Sequence, residues 1–468
     1  MELQKRAEAM KKSRRSFLKV AAGFMILPRR LIAASGEQPP SETVYAVGIG
    51  VGGQGRRNLL GFGNFGKVIA FADLDARSAG NAKKENPEAK VFDDYRKMYD
   101  EVGKDADAVI ISTPDHWHAL PAVEAMQRGK HVYLEKPMAR TIWETRKLME
   151  AAARYRVVTQ MGNQGRSFES NAVFASWVQR GVLGRITEVH AWVTQGMFNS
   201  QNHLPDLAKT YDVPKELDWE RWVGPAPFHP YNPRFAPGAW RAWTPFGTGQ
   251  PGDMACHVLD PIFTALRLPA PKTIEAEVTP GWDKKAHALA YPNDARIRFD
   301  FDLFNKKTLA ILWHHGRFCK DVPRPPVLEE GRTLGNEEGG DLGDRAGAIV
   351  YGTENILTHG SHGAETCRVI PEEKMKGLVK TKELGGYKTQ GVGNHHRDFV
   401  NAVKAGRTAG SDFHVVGNEV ETALLGAIAI RNPGVKLEWD AQAMRITNCA
   451  EADAMVTPEY RKGYELKV

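Results

Sequence analysis

Val44-Tyr45-Ala46-Val47-Gly48-Ile49-Gly50-Val51-Gly52-Gly53-Gln54-Gly55 is the stretch that predicts the fold class of this chain. It begins as an apolar run typical of a buried strand, continues as the pattern G-x-G-x-x-G, and leads into a helix-like stretch at residues 56–60. Glycines there let the backbone approach a pyrophosphate, and the helix N-terminus offers oriented N–H donors. The predicted cofactor-binding residues of this turn are Gly50, Gly52, Gly53, Gln54 and Gly55.

The next apolar run, residues 68–72, ends at a carboxylate. Asp73 follows Gly55 by 18 residues, where a carboxylate accepts hydrogen bonds from a ribose 2′-hydroxyl and repels a 2′-phosphate. The position of Asp73 therefore predicts NAD as the cofactor. Arg77 lies close enough in sequence to keep NADP open.

Two further buried-strand patterns, residues 108–114 and 131–137, alternate with helical patterns. This alternation predicts a parallel sheet, whose ligands lie at the carboxyl ends of the strands. Thr113 and Lys136 fall at such ends, as do Gly50 and Asp73. The first part of the chain is therefore predicted to be an α/β dinucleotide-binding (Rossmann) domain.

Glu135-Lys136-Pro137, together with Thr113-Pro114 and the glycine turn, resembles the glucose-fructose oxidoreductase/inositol dehydrogenase/MocA (Gfo/Idh/MocA) family over about residues 44 to 430. The resemblance implies that Lys136 is catalytic beside the nicotinamide. A lysine buried at a cofactor cleft can have its pKa lowered and then share protons near neutral pH. It also implies that the cofactor contacts further residues, namely Thr113, Pro114, His118, Glu135 and Lys136.

After residue 160 the pattern changes. Strand-like runs at residues 186–193, 273–278, 295–301 and 308–313 lack helical crossovers of constant length. They predict an α+β domain with a large, open, mostly antiparallel sheet covered by helices on one face. The family resemblance implies the same arrangement, and a homodimer or homotetramer. The predicted divisions are a leader at 1–40, a Rossmann domain at 41–160, a substrate-binding and oligomerisation domain at 161–432 and a tail at 433–468.

Asp253, His257 and Asp260 are spaced at i, i+4 and i+7, which places them on one face of a helix. The Asp-x-x-x-His motif of the family matches Asp253 and His257, and implies that they supply the base for a substrate hydroxyl. A neighbouring carboxylate can hold the imidazole ring and stabilise its charged form. Asp260 is expected to cap or brace the helix.

The predicted substrate-binding residues come from two places. Asn163 and Arg166 match family positions that contact substrate or cofactor. Trp240 and Arg241 belong to an aromatic-rich stretch at residues 219–243, whose ring faces can stack on sugar C–H surfaces. The same stretch is also compatible with a long loop held by its own aromatic side chains, or with a subunit interface.

Charge and cysteine spacing argue against several classes of function. Residues 1–40 hold nine Lys and Arg against three Glu, so they carry +6 of the net charge of +7. The rest of the chain has no basic excess to favour nucleic acid. The four cysteines lie at least 48 residues apart and the histidines form no recognised ligand motif, so no metal site is predicted. No stretch has the ~18 consecutive apolar residues of a membrane span.

The N-terminal leader carries a twin-arginine pattern. Ser13-Arg14-Arg15-Ser16-Phe17-Leu18-Lys19 precedes a short apolar run at residues 20–27, as in signals read by the Tat translocase. The leader predicts export of the folded protein to the periplasm and resemblance to the family branch with Tat leaders. It is either cleaved or kept as an anchor.

These features predict an NAD(P)-dependent oxidoreductase that acts on a CH–OH group of a sugar, cyclitol or polyol and holds its cofactor tightly. An NAD-dependent glycosidase that works by oxidation, elimination, addition and reduction needs the same lysine, histidine and dinucleotide, and remains the alternative. A non-catalytic dinucleotide-binding scaffold is disfavoured by the joint presence of Lys136, Asp253 and His257.

Overall fold

The computed structural model describes residues 43–236, 238–303, 307–331, 334, 345–384 and 393–468. The predicted leader lies outside these residues. Among them, no helix has the length and apolar character needed to cross a membrane.

The first domain is built on a six-stranded sheet in the order β3-β2-β1-β4-β5-β6, with every pair parallel. Its strands are β1 Tyr45–Ile49, β2 Lys67–Ala72, β3 Lys90–Phe92, β4 Ala108–Ile111, β5 His131–Leu134 and β6 Thr159–Met161. Its helices are α1 Gln54–Gly63, α2 Ala76–Glu85, α3 Tyr95–Val102, α4 Ala119–Gln127 and α5 Ile142–Tyr155. The predicted Rossmann-type sheet is confirmed.

Burial and capping explain why these segments form these elements. All four residues of β4 are buried, as expected for a strand covered by helices on both faces. Helix α5 begins at a capping box, in which the Thr141 side chain accepts from the Glu144 N–H and the Glu144 carboxylate accepts from the Thr141 N–H. This cap fixes where the chain leaves the loop that follows β5.

The second domain contains a nine-stranded sheet in the order β13-β12-β11-β7-β10-β9-β8-β14-β15. Its strands are β7 Ile186–Val193, β8 Thr273–Val278, β9 Ala295–Leu303, β10 Lys307–His315, β11 Ala346–Gly352, β12 Ile356–Gly360, β13 Arg368–Ile370, β14 Leu437–Asp440 and β15 Arg445–Ile446. Among the described pairs, only β7 with β10 is parallel. The predicted mostly antiparallel sheet is confirmed.

Helices of the second domain join it to the first. They are α6 Glu169–Gln179, α7 Trp219–Val223, α8 Gly249–Val258, α9 Asp260–Leu266, α10 Glu372–Lys380, α11 His395–Ala405, α12 Phe413–Ala429 and α13 Ala450–Asp453. Helix α12 is buried along most of its length because it packs against both α5 and α8, and α11 packs against α1. These contacts fix α8 relative to the ends of the parallel strands.

Residues 433–468, expected as a tail, take part in both domains. Strand β14 pairs with β8 in the large sheet. The chain then returns to the first domain, where Tyr460 Oη donates to Glu144 Oε1 at 2.7 Å and the Tyr464 ring meets the edge of Trp117 at 5.6 Å. Sequence periodicity missed this because the two strands are only four and two residues long.

Candidate active site

The glycine turn between β1 and α1 leaves backbone groups open toward a cleft. Gly50 and Gly53 have positive φ angles of 73° and 45°, which glycine adopts without strain. A Cβ on Gly55 would lie 2.0 Å from the carbonyl oxygen of Gly50, so this close turn requires glycine there. The N-cap of α1 is Gly53, which has no side chain to occupy the helix N-terminus. The turn can therefore receive a phosphate.

Carboxylates line the cleft beside this turn. Asp73 Oδ2 accepts from the Val51 N–H at 2.7 Å, and Asp73 Oδ1 accepts from the Asp75 N–H at 2.8 Å. Burial raises the pKa of Asp73 above its ordinary value, although these bonds oppose the rise. Asp75 accepts hydrogen bonds of 2.9 and 2.7 Å from the Arg77 guanidinium. The arginine that made NADP an alternative cofactor is therefore already paired with a carboxylate.

The cleft has a volume of about 590 Å³, within the ~300–1,000 Å³ typical of small-molecule sites. One wall consists of the strand ends of the first domain, including Gly50, Gly52, Gly53, Gln54, Asp73, Thr113, Pro114, Glu135 and Lys136. The facing wall comes from the second domain, including Leu217, Arg221, Trp222, Tyr231, Trp240 and Arg241. The structure thus brings these predicted cofactor residues together with two of the predicted substrate residues.

An ion cluster lies at one end of the cleft. Lys136 Nζ is 2.6 Å from Asp253 Oδ1 and also donates to the backbone carbonyl of Asp253. Arg241 Nε lies 2.9 Å from the same carboxylate oxygen, and the guanidinium is 4.1 Å from the centre of the Trp240 ring. Burial would raise the pKa of Asp253, but Lys136 and Arg241 outweigh it and hold that pKa below its ordinary value. Asp253 is therefore an anion between two cations.

His257 lies one helical turn beyond Asp253, with its ring buried. Its Nδ1 has no hydrogen-bond partner in the described part of the chain, and its ring stacks on His362 at 4.1 Å. Burial, reinforced by the charge of Lys136, lowers the pKa of His257 well below its usual value. Asp253 is paired with Lys136 and Arg241, and the described ring neighbour of His257 is His362 instead of a carboxylate. The imidazole is therefore neutral, the form that can accept a proton.

His118 and Glu135 support the loop that carries Lys136. The ring nitrogens of His118 lie 2.8 Å from the carbonyl oxygens of Thr113 and Pro137, which ties the ends of β4 and β5 together. Glu135 Oε1 accepts from Asn58 on α1 at 2.8 Å. His118 is buried behind the cleft, whereas Glu135 lines it.

Asn163 and Arg166 lie in a buried network away from the cleft lining. Both donate to Asp260 Oδ1, at 2.8 and 2.5 Å, and Arg166 Nη1 is 3.6 Å from Glu419 Oε2. Burial, and then repulsion by Asp260, raises the pKa of Glu419 well above its ordinary value. Asp260 thus braces α9 against the segment that follows β6.

The aromatic stretch at residues 219–243 is in one part a loop held by its own aromatic side chains and in another part a wall of the cleft. Trp219 stacks on Trp222 at 4.8 Å and on Phe235 at 6.3 Å, so the segment is held by its own rings. Trp240 instead faces the cleft beside Arg241. One part of the stretch is therefore internal packing, and another lines the candidate site.

Sequence reasoning missed Asp115, which follows Thr113-Pro114 at the end of β4. Asp115 Oδ2 accepts from Thr248 Oγ1 at 2.7 Å, while Oδ1 is buried with no hydrogen-bond partner in the described structure. Burial raises the pKa of Asp115 to about 7, against the opposing effect of Arg241. The signal available in the sequence was a charged residue placed directly after Thr113-Pro114. Its burial depends on the loop before α8, more than 130 residues away.

We expect Arg166→Met to destabilise the protein by about 3–5 kcal/mol, because it leaves Asp260 buried without its cation. Adding Asp260→Asn should recover part of the loss, since no unpaired carboxylate then remains. Urea unfolding of the wild type, Arg166→Met and the double variant measures this. Wild-type stability in Arg166→Met combined with weaker carbohydrate binding would instead make Arg166 a substrate residue.

We expect Asp115→Asn to change the pH dependence of stability. The folded-state pKa of about 7 lies above the unfolded value of ~3.9, so the stabilisation is complete below about pH 4 and lost as pH rises through about 7. Relative to the wild type, the variant should gain on the order of 2–4 kcal/mol in unfolding free energy between those limits. Denaturant unfolding across this range tests it, with the exposed Asp212→Asn as control. Parallel curves for wild type and Asp115→Asn would contradict the assignment.

Part of the chain is similar in sequence to curated proteins. Inositol 2-dehydrogenase of Gluconacetobacter diazotrophicus is 29% identical over 160 residues, 34% of this chain and 47% of that protein. A glycosyl hydrolase family 109 protein of Shewanella sp. (strain W3-18-1) is 33% identical over 159 residues, 31% of this chain and 34% of that protein. The matches thus span less than half the length of these curated relatives.

Solved structures share the fold at low sequence identity. The WlbA dehydrogenase from Chromobacterium violaceum, in complex with NADH and UDP-GlcNAcA, has a TM-score of 0.58 at 15% identity and covers 87% of this chain and 99% of its own. A levoglucosan dehydrogenase in complex with NADH and levoglucosan has a TM-score of 0.55 at 17% identity, covering 85% and 99%.

Two family models match consecutive parts of the chain. The oxidoreductase family model with an NAD-binding Rossmann fold matches residues 44–163. The model of the C-terminal alpha/beta domain of the same family matches residues 175–301. The two matches together cover more than half of the chain, and the chain therefore belongs to the Gfo/Idh/MocA oxidoreductase family.

Proposed function

We propose that this protein is an NAD-dependent oxidoreductase that acts on a CH–OH group of a sugar, cyclitol or polyol. The observation that carries the proposal is that Lys136, which lines the same cleft as the glycine turn, is paired with Asp253. A phosphate-binding turn and a proton-handling cluster are the two parts such a reaction needs. Relatives named inositol 2-dehydrogenase and levoglucosan dehydrogenase support the substrate class.

The residues of the cleft fit NAD. The glycine turn accommodates a pyrophosphate, because a side chain at Gly55 would fill the close approach to Gly50. Asp73 and Asp75 carry the charge that disfavours a 2′-phosphate, and Asp75 holds Arg77. When bound, NAD supplies a hydride acceptor at nicotinamide C4.

Each polar residue of the site has a role in this proposal. Lys136 donates a hydrogen bond to the reacting hydroxyl oxygen, and Asp253 orients Lys136. Neutral His257 accepts the hydroxyl proton once substrate is bound. Trp240 offers a ring face to the C–H surface of a sugar, and Arg241 binds its oxygens. Burial and the charge of Lys136 lower the pKa of His257, which keeps the imidazole neutral and able to accept a proton, while the same effects make it a weaker base.

A second candidate is an NAD-dependent glycosidase, favoured by the relatives named glycosyl hydrolase family 109 protein. In that reaction a ring hydroxyl is oxidised, the neighbouring C–H loses a proton, the aglycone leaves, water adds, and the hydride returns. It has no net redox change and uses the same residues. Release of aglycone with only transient cofactor reduction would move the assignment to this candidate.

We expect Lys136→Met to lower the rate at which carbohydrate reduces bound NAD by at least ~100-fold, because the hydroxyl loses its donor. NADH binding, measured by nucleotide fluorescence, should stay within a few-fold of wild type, since the glycine turn is intact. Lys147→Met, at an exposed surface pair with Glu150, is the matched control. Normal reduction by the Lys136→Met protein would exclude a catalytic role for this lysine.

We further propose that the protein is exported folded by the Tat translocase to the periplasm, on the strength of its twin-arginine pattern. Export in the folded state lets it load NAD in the cytoplasm. The homodimer or homotetramer implied by the resemblance stays a prediction.

Replacing both Arg14 and Arg15 with lysine should retain the protein in the cytoplasm, because the Tat signal depends on the arginine pair. Replacing Lys11 and Lys12 with arginine keeps the charge outside the pair and serves as control. Cell fractionation of a bacterial host measures the distribution. Periplasmic recovery of the Arg14/Arg15 variant at the control level would contradict Tat export.

A further inference from the structure

Residues 214–222 of the second domain cross onto the nucleotide-binding face of the first domain, and we call them the bridging segment. The Ala76 N–H donates to the carbonyl of Glu216 at 2.9 Å, and the Asp218 N–H donates to the carbonyl of Leu74 at 3.1 Å. Asp75 and Leu217 form an antiparallel bridge between these bonds. The contact involves the turn between β2 and α2, which carries the carboxylates of the cleft.

Arg221 fixes the bridging segment to a second place on the first domain. It donates to the backbone carbonyl of Asp93 at 3.0 Å and to the Asp93 carboxylate at 3.1 Å, while its Nε donates to Asp218 at 2.7 Å. Its bond to Asp93 is the main cause that lowers the pKa of that carboxyl below its ordinary value. Charged bonds of this kind are stronger than neutral ones.

The far end of the bridging segment is held as well. Trp117 Nε1 donates to the carbonyl of Trp222 at 2.9 Å. From the C-terminal region, Arg461 pairs with Glu220 at 2.8 Å, and the Arg461 N–H donates to the carbonyl of Pro225 at 3.0 Å. The segment is therefore attached at both ends and at its centre.

The bridging segment is thin, with space on both sides. Leu217 and Arg221 line the 590 Å³ cleft, and they also line a second cavity of about 740 Å³ that includes Val91, Phe92 and Phe228. A ligand seated at Asp73 in the cleft therefore meets the first domain on one side and Leu217 and Arg221 of this segment on the other. Displacing the stretch would break these hydrogen bonds and ion pairs, and it would also remove the buried side chains of Leu217 and Trp219 from the core.

We propose that the bridging segment is the second wall of the subsite for the adenosine half of NAD, and that its Arg221 contacts set the rate at which the nucleotide leaves. This inference rests on the proposed function. Leu217 packs against the nucleoside, while Arg221 keeps the segment closed through Asp93 and Asp218. The subsite thus depends on residues that the glycine motif of the first domain does not reveal.

NADH release from the full-length protein, followed by stopped-flow fluorescence after addition of excess unlabelled NAD, tests this. Arg221→Ala should release NADH about tenfold faster or more than wild type, since charged bonds of this size are worth at least ~1.4 kcal/mol. Arg221→Lys should release it at an intermediate rate. Arg234→Ala removes a similar pair with Asp206 outside the cleft and should release it at the wild-type rate.

The salt dependence of NADH release distinguishes this role of Arg221 from a general loss of protein stability. Release from wild type should accelerate with rising salt because Arg221 is partly exposed, and release from Arg221→Ala should respond less. Equal release rates for wild type and Arg221→Ala would overturn the inference while leaving NAD binding intact. Failure of the wild type itself to bind NADH or NAD would overturn the proposed function and, with it, this subsite.

Discussion

The candidate site depends on one ion pair across the domain boundary. Lys136 follows β5 of the parallel sheet, and Asp253 lies on α8 of the second domain, yet their charged atoms are 2.6 Å apart. The two side chains are only 10% and 22% exposed, so their attraction is screened less than that of a surface pair. Removing Asp253 would leave Lys136 partly buried without its carboxylate, which is costly, whereas removing Lys136 would leave Asp253 with Arg241 as its cation. The pair therefore positions Lys136 and helps to hold the two domains together.

Several other contacts hold the elements that carry Lys136 and Asp253 in place. Thr248 at the start of α8 bonds to Asp115 beyond β4, and His118 links the loop after β4 to the loop that carries Lys136. Helix α12 packs behind α8 and α5, which limits how far the domains can separate. Lys136 and Arg241, which line the cleft that contains the glycine turn, are thus held together by Asp253, and His257 lies one helical turn beyond Asp253 on α8.

Much of the fold was predictable because the patterns that specify its strands and turns lie within short stretches of sequence. Strands β1, β2, β4 and β5 of the parallel sheet correspond to the predicted apolar runs, and the runs at residues 186–193 and 273–278 coincide with β7 and β8. Strands β3 and β6 are only three residues long and have no such run. The glycine turn was predictable because only glycine permits its close approach. Sequence also identified Lys136 and Asp253 separately, through a strand-end motif and a helical spacing.

The remaining features arise from contacts distant in sequence. Arg166 is enclosed by Asp260 and Glu419, which follow it by 94 and 253 residues, so its burial had no local signal. The contacts of the bridging segment with the first domain had no local signal, because they join Leu74 and Asp93 to residues more than 120 positions later in the sequence. Burial raises the pKa of Asp115, and its described side-chain partner, Thr248, lies more than 130 residues away in the loop before α8.

The absorbance spectrum of the protein, loaded with NAD and mixed with a panel of sugars, cyclitols and polyols, decides whether this cleft oxidises a CH–OH group. We expect at least one of these compounds to reduce the bound nucleotide in proportion to the protein, seen as the near-ultraviolet band of reduced nicotinamide. A protein that binds NAD but shows no reduction, transient or lasting, with any carbohydrate or glycoside would contradict this expectation.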